Sequence, residues 1–176
     1  AVSANKAFVP DVVSVGQVSK VTIFFLNANN NPAGSLAVTD AMPAGVVIAP
    51  TPNFATTCGG SAPALNPGDT QIAYSGGTSP ANSGVTPGAC QISFDVVTNT
   101  AGVYINTIAA GDVTSTEGPN SQSAEATLNV STLAPIGGSK SFAPANVHGT
   151  GNPSTATITR NNINAVRTCH YPDRLE

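Results

Sequence analysis

The chain has 176 residues, of which only 6 are Lys or Arg and 9 are Asp or Glu, giving a net charge of −3. So few cations exclude a nucleic-acid binder, which needs a basic surface to neutralise phosphates. The longest apolar run, Val21–Leu26, is far shorter than the roughly 20 residues that a membrane-spanning helix needs. With 40% apolar residues and many Gly and Pro, the composition is typical of an all-β extracellular module.

Short β-branched or alternating segments, separated by turns rich in Gly, Pro and Asn, predict the strands. In chain order the segments are Val18–Asn27, Ser35–Asp40, Val46–Ile48, Thr70–Ser75, Cys90–Thr98, Val103–Ala109 and Ala124–Val130. We interpret the first as a central strand buried on both faces. No stretch of 12 residues shows helical periodicity with a cap at each end. About eight short strands predict an all-β, two-sheet sandwich of the immunoglobulin-like type.

The sequence also predicts a turn and the residues of the core. Met42–Gly45 predicts a turn, because Pro presets φ and Gly permits positive φ. The expected core consists of large apolar residues: Phe8, Ile23, Phe25, Ile72, Tyr74, Ile92, Phe94, Tyr104, Ile108 and Leu128.

The beginning of the chain recurs near its end. Asn5–Pro10 reads NKAFVP and Ser139–Pro144 reads SKSFAP, and further matches follow after one inserted residue. Such self-similarity predicts a tandem array. We therefore expect a sandwich module over residues 1–134 and the start of a second, truncated repeat over residues 135–164. Residues 165–176 form an atypical tail, which is either part of the protein or an addition to it.

The second repeat is expected to link the module to its neighbour. Its marker residues are Lys140, Phe142, Pro144, Val147 and Ile158. The segment has no second sheet of its own to cover it. It must therefore stay loose, pack on its own module, or add to the edge of a neighbouring molecule.

Four motifs in order resemble a known family. They are KAFVP at 6–10, a strand that ends in Asn27, VTDAMPAGV at 38–46 and GVYINT at 102–107. Together they resemble the repeat domains found in tandem in large bacterial and archaeal surface proteins. The resemblance covers most of residues 1–134 and restarts at Lys140. It implies a β-sandwich stalk module without enzymatic turnover, often part of an adhesin or cell-wall protein.

The cysteines predict a disulfide. The export-like composition favours a bond between Cys58 and Cys90, which closes a loop of about 33 residues and adds roughly 3–4 kcal/mol. The alternative is two free buried thiols, and Cys169 is left over in the tail.

No metal or cofactor is expected, because the Cys–His spacing of a zinc site is absent. The alternative is a calcium site at the Asn- and Asp-containing loops at 27–31 or 111–112, although these loops lack the spacing of an EF-hand.

Lys6, Asp40 and Asn106 form a candidate cross-link site. Their order is similar to that in the collagen-adhesin class of sandwich domains, in which a Lys of the first strand is joined to a late Asn, with an acid between them. A buried carboxyl polarises the amide, while apolar surroundings keep the amine neutral and nucleophilic. Asn27 is an alternative amide partner. The structural alternative is a surface lysine, a turn-forming aspartate and a backbone-capping asparagine.

A hydrolase is not favoured. The two histidines, His148 and His170, lie outside the main module, Gly-x-Ser-x-Gly is absent, and the carboxylate spacing does not favour glycosidase chemistry.

The predicted function is a structural or assembly module of a secreted surface stalk, fibre or adhesin, linked head to tail to a neighbouring repeat or subunit. The signal peptide of such a protein is absent from this chain. The alternative is an adhesin domain that binds a glycan or host protein through the 51–67 and 78–88 loops.

Overall fold

A computed structural model describes residues 1–132, 137–145 and 153–161, in two units, Ala1–Thr132 (unit 1) and Leu133–Glu176 (unit 2). The regular elements of the described residues are all strands. Those of unit 1 are β1 (Val2–Val9), β2 (Val12–Ser14), β3 (Ser19–Asn27), β4 (Ala33–Ala41), β5 (Val46–Ile48), β6 (Ala55–Thr56), β7 (Gln71–Ser79), β8 (Gly88–Thr98), β9 (Gly102–Ile108), β10 (Val113–Thr114) and β11 (Ala124–Ser131). The described segments contain no helix that is long and apolar enough to cross a membrane.

The strands of unit 1 form two layers. One layer is a five-stranded sheet in which β1, β3, β8 and β5 are neighbours in that order, with β6 also paired to β8. The other layer comprises two three-stranded sheets, β10-β4-β7 and β2-β11-β9. All described pairings are antiparallel except that of β11 with β2. The predicted all-β sandwich of immunoglobulin-like type is confirmed.

Two strand expectations need correction. Strand β1 is missing from the predicted segments, because the lysine at an inward position interrupts its apolar alternation. Strand β3 is central, between β1 and β8, but it is not buried on both faces. Lys20 and Phe24 are exposed on its outer face, as is usual for an antiparallel sheet with one solvated side.

The core lies between the two layers. The predicted core residues are buried, except Tyr104, which is partly buried and packs against the core. Ser93 and Asp95 of β8 are also buried, although alternation predicts that they point outwards. The reason is that β6 pairs with β8 at Ser93, and the carbonyl of Pro52 accepts a hydrogen bond from the Asp95 amide. The 51–67 loop therefore covers part of the outer face of β8.

The predicted turn between β4 and β5 is present. Gly45 has φ of 95°, and the Val46 amide donates to the Pro43 carbonyl at 2.9 Å. A side chain at Gly45 would be strained by this φ, and its Cβ would lie 3.5 Å from the Tyr104 ring.

Unit 2 contains an antiparallel pair, β12 (Gly137–Ala143) and β13 (Thr155–Asn161). Four predicted marker residues of the linking segment lie in or beside this pair: Lys140, Phe142, Pro144 and Ile158. Val147, both histidines and the whole 165–176 tail, with Cys169, lie outside the described residues.

Candidate cross-link site

Three polar residues occupy inward positions on three different strands. In β1, burial alternates so that Lys6 lies on the same face as Ala4 and Phe8. Asp40 in β4 and Asn106 in β9 likewise occupy buried positions of their strands. Since β1 belongs to the five-stranded sheet and the other two strands to the opposite layer, the three side chains meet in the core.

Asp40 binds both of the other side chains through one oxygen atom. The Lys6 ammonium donates to Asp40 Oδ2 and forms an ion pair in which both side chains are fully buried. Asn106 Nδ2 donates to the same oxygen at 3.3 Å, and Asn106 is 1% exposed. The predicted trio is therefore assembled in the structure, and the alternative of a surface lysine with a turn-forming aspartate is wrong.

Burial shifts the pKa of both charged groups towards neutrality. Desolvation lowers the Lys6 pKa, against the attraction and hydrogen bond of Asp40. Desolvation also raises the Asp40 pKa, against the attraction of Lys6 and the hydrogen bonds from Lys6 and Asn106. Both directions lower the free-energy cost of moving the ammonium proton to the carboxylate, a transfer that would give a neutral amine beside a carboxylic acid.

Two buried oxygens in the site lack a partner within the described part of the chain: Asp40 Oδ1 and Asn106 Oδ1. Each such atom costs about 1–3 kcal/mol. A half-turn of the amide exchanges its oxygen and nitrogen, so the amide oxygen then faces the carboxyl of Asp40. With a proton on Asp40, this contact becomes an O–H···O=C hydrogen bond that polarises the amide carbon.

Met42 is a member of the site that sequence reasoning missed. Its sulfur accepts a contact from Asn106 Nδ2 at 3.5 Å, and the side chain is buried. The motif that contains it predicts only a turn. Its position two residues after Asp40, on the same face of the chain, is the signal that places it near the site.

Asn27 does not join this site, so its suggested role as an alternative amide partner is wrong. In the β1–β3 register it lies opposite Val2, whereas Lys6 lies opposite Ile23. Its Nδ2 donates to the Asn31 and Pro80 carbonyls at 2.8 Å, and its Oδ1 accepts from Asn29. Asn27 therefore fixes the turns at that end of the sandwich.

The structure contains the predicted disulfide between Cys58 and Cys90, with a Cα–Cα distance of 5.0 Å. Cys58 follows β6 and Cys90 lies in β8, and both are buried. The bond fastens the 51–67 loop to the five-stranded sheet. The alternative of free thiols does not describe this structure.

The two candidate binding loops differ in structure. An open cavity of about 460 Å³ lies beside the first loop, lined by Pro63, Ala64, Asp69, Thr70, Gln71 and Ala73. The second loop is shorter than expected, because β7 extends to Ser79 and β8 begins at Gly88. Asn82 ties that loop to residues 28 and 29 through backbone and side-chain hydrogen bonds.

Residues that could hold a metal ion are not brought together in the described part of the chain. No three His, Cys, Asp or Glu side chains cluster there. At the 111–112 loop, the carboxylate of Asp112 accepts a hydrogen bond from the Ala109 amide at 3.0 Å. This contact stabilises the turn after β9.

Unit 1 is thus a β-sandwich with a buried Lys–Asp–Asn trio between its layers, and comparison with known proteins assigns its family. The chain belongs to the family described as "Domain of unknown function (DUF7933)", whose model matches residues 3–130. No curated protein sequence matches the chain.

Three solved structures are similar in fold. The major pilin subunit BcpA of Bacillus cereus is 8% identical, with a TM-score of 0.49 over 92% of this chain and 56% of the pilin chain. The bacterial hydrophobin BslA is 14% identical, with a TM-score of 0.46 over 73% of this chain and 94% of its own. A non-cellulosomal cohesin from Archaeoglobus fulgidus is 14% identical, with a TM-score of 0.40 over 74% of this chain and 90% of its own.

Proposed function

We propose that unit 1 is a non-catalytic structural module of an extracellular assembly, locked by a self-formed isopeptide bond between Lys6 and Asn106. One observation carries this proposal: the amine of Lys6 and the amide of Asn106 share a single buried oxygen of Asp40. Such an arrangement holds nucleophile, proton carrier and electrophile together in a site that is buried from solvent.

The reaction needs no outside reagent. Lys6 first gives a proton to Asp40, and the neutral amine attacks Asn106 Cγ while the carboxyl donates towards the amide oxygen. The Nζ–Cγ bond forms and the Cγ–Nδ2 bond breaks. Asp40 carries a proton from the amine to the departing nitrogen, which leaves as ammonia. One bond forms for each that breaks, and the chain becomes lighter by one ammonia.

The bond would have a mechanical consequence. It joins β1 in one layer to β9 in the other, and residues 7–105 lie between the linked positions. Together with the disulfide between Cys58 and Cys90, it gives the module two covalent ties. A domain with this construction suits spacing and head-to-tail linkage in a surface stalk or fibre.

An extracellular location is supported by two observations. A buried disulfide persists in oxidising compartments. Charged residues make up only 9% of the chain, as in the exported modules that the composition resembles.

Intact mass spectrometry tests the cross-link. After reduction of the disulfide, the parent chain is expected to be one ammonia lighter than its sequence mass, and tandem fragmentation should find Lys6 joined to Asn106. Asp40→Ala and Asn106→Ala should each have the full mass of their own sequence, without loss of ammonia. Thr107→Ala, at the exposed neighbouring position, is the matched control and should keep the loss. A folded parent chain of unaltered mass would refute the cross-link.

The alternative function, a module that binds a glycan or host protein, is favoured by the open cavity beside the first loop. Asp69 and Gln71 supply polar groups there, and Pro63 and Ala64 supply an apolar wall. A glycan array should give hits that Gln71→Ala removes if this function is present. An array without hits counts against it for glycans.

A further inference from the structure

The β12–β13 pair repeats the register of the β1–β3 pair. Lys6 lies opposite Ile23 in unit 1, and Lys140 lies opposite Ile158 in unit 2. The next pairs along the two strands correspond in the same way, and the pairing of Phe8 with Val21 in unit 1 matches that of Phe142 with Ala156 in unit 2.

A side-chain contact at the end of each pair is also repeated. In unit 1, the Ser19 hydroxyl donates to the Pro10 carbonyl at 2.6 Å. In unit 2, the Ser154 hydroxyl donates to the Pro144 carbonyl at 2.8 Å. The two strand pairs therefore agree in register and in the contact that fixes the connection between their strands.

The two pairs differ in what covers them. In unit 1, Phe8 and Ile23 are 5% and 0% exposed, because the opposite layer packs on them. In unit 2, Phe142 and Ile158 are 51% and 66% exposed. Lys140 is also exposed, and its ammonium lies 4.9 Å from the centre of the Phe142 ring. The second pair thus presents, uncovered, the surface that the first pair buries.

We propose that Lys140 is the amine of a second isopeptide site, a conclusion that rests on the function proposed for unit 1. The partner is the rest of a domain of this family, with an Asp on the strand equivalent to β4 and an Asn on the strand equivalent to β9. Its layers would cover the apolar side chains of β12–β13 and desolvate Lys140. The same transfer then forms an Nζ–Cγ bond and releases ammonia.

The correspondence has a limit beyond Ile158. In the shared register, Arg160 lies opposite Gly138 where Phe25 lies opposite Ala4. Phe25 is fully buried in unit 1. A test therefore needs both the parent sequence and a variant in which this position is apolar.

The experiment inserts a second copy of residues 28–132 after residue 162 of the full chain. This insertion supplies the proposed partner, and a second version adds Arg160→Phe. The parent chain should lose one ammonia and an extended chain two, with tandem fragmentation joining Lys140 to the inserted copy of Asn106. Lys140→Arg in the extended chain should return the loss to one.

Each outcome is decisive. A second ammonia loss that depends on Lys140 supports the proposal. A folded second copy without a bond to Lys140 overturns it, as does failure of the second copy to fold in both versions. If the parent chain itself loses no ammonia, the function proposed for unit 1 fails. A single loss in both the parent and the extended chains overturns only the inference about Lys140.

Discussion

Replacing Asn106 by Ala removes the carbon that Lys6 attacks, so it tests what the cross-link contributes to stability. The variant keeps the ion pair between Lys6 and Asp40. It lacks the hydrogen bond from Asn106 Nδ2 to Asp40, but in the cross-linked wild-type chain Nδ2 has already left as ammonia. The expected difference in stability is therefore the contribution of the covalent bond.

The size of the covalent contribution follows from the loop that the bond closes. Positions 6 and 106 close a loop of on the order of 100 residues, and in the chain-entropy model a cross-link of that span adds about 4.7 kcal/mol. This is a large part of the roughly 5–15 kcal/mol of a typical domain. The midpoint of thermal unfolding should fall by roughly 15–25 °C.

Urea unfolding and calorimetry of the reduced proteins measure this difference. Thr107→Ala is the control, because its side chain is exposed and surface substitutions change stability by about 0.5 kcal/mol or less. A loss of only about 1–2 kcal/mol in Asn106→Ala would mean that the hydrogen bond alone had been removed. That result would refute the covalent argument.

Three further predictions follow from the same contacts. Lys6→Met removes the attraction and hydrogen bond that lower the Asp40 pKa, so burial raises this pKa further above 3.8. The folded variant then holds a proton that the unfolded chain releases. As the pH rises from about 4, its free energy of unfolding should fall by up to about 1.4 kcal/mol per pH unit, until the pH reaches the pKa of the folded carboxyl. Urea titrations should show this slope in Lys6→Met and not in Lys6→Met/Asp40→Asn. Reduction of the Cys58–Cys90 disulfide should cost about 3.7 kcal/mol for its loop of about 33 residues, measured by urea unfolding with and without reductant. Amine acetylation followed by peptide mapping should modify Lys20, which is exposed, and leave Lys6 unmodified; acetylation of Lys6 in the folded chain would contradict its burial.

Much of the fold can be predicted because alternation and turn residues are local signals. Leu36 and Val38 mark the inward face of β4, and Pro43 with Gly45 marks the turn that follows. Strand β1 escapes the same reasoning, because Lys6 at an inward position reads as a break in the pattern. That break is itself informative, since a charged residue in an inward register needs a buried partner.

The remainder depends on contacts between distant segments. Ser93 and Asp95 look like outward residues until the 51–67 loop is seen to cover them. Strand β3 is buried on one face only, because the opposite layer packs on its inner face while Lys20 and Phe24 stay exposed on the outer one, and its own sequence does not show this. The contact between Met42 and Asn106 joins positions far apart in sequence, and only the position of Met42 two residues after Asp40 points to it. Asn27 illustrates the reverse case, because its local turn contacts exclude it from the site that its residue type suggests.

Single-molecule pulling on the chain ends detects the cross-link through its mechanical effect, because a bond between Lys6 and Asn106 limits how far unit 1 can extend. With the disulfide reduced, only the residues before Lys6 and after Asn106 lengthen in the cross-linked unit, which gives at most roughly 100–110 Å. The Asn106→Ala variant should release up to roughly 440–480 Å from its 132 residues. The wild-type chain should give the short extension; a long extension equal to that of the variant would refute the bond between Lys6 and Asn106.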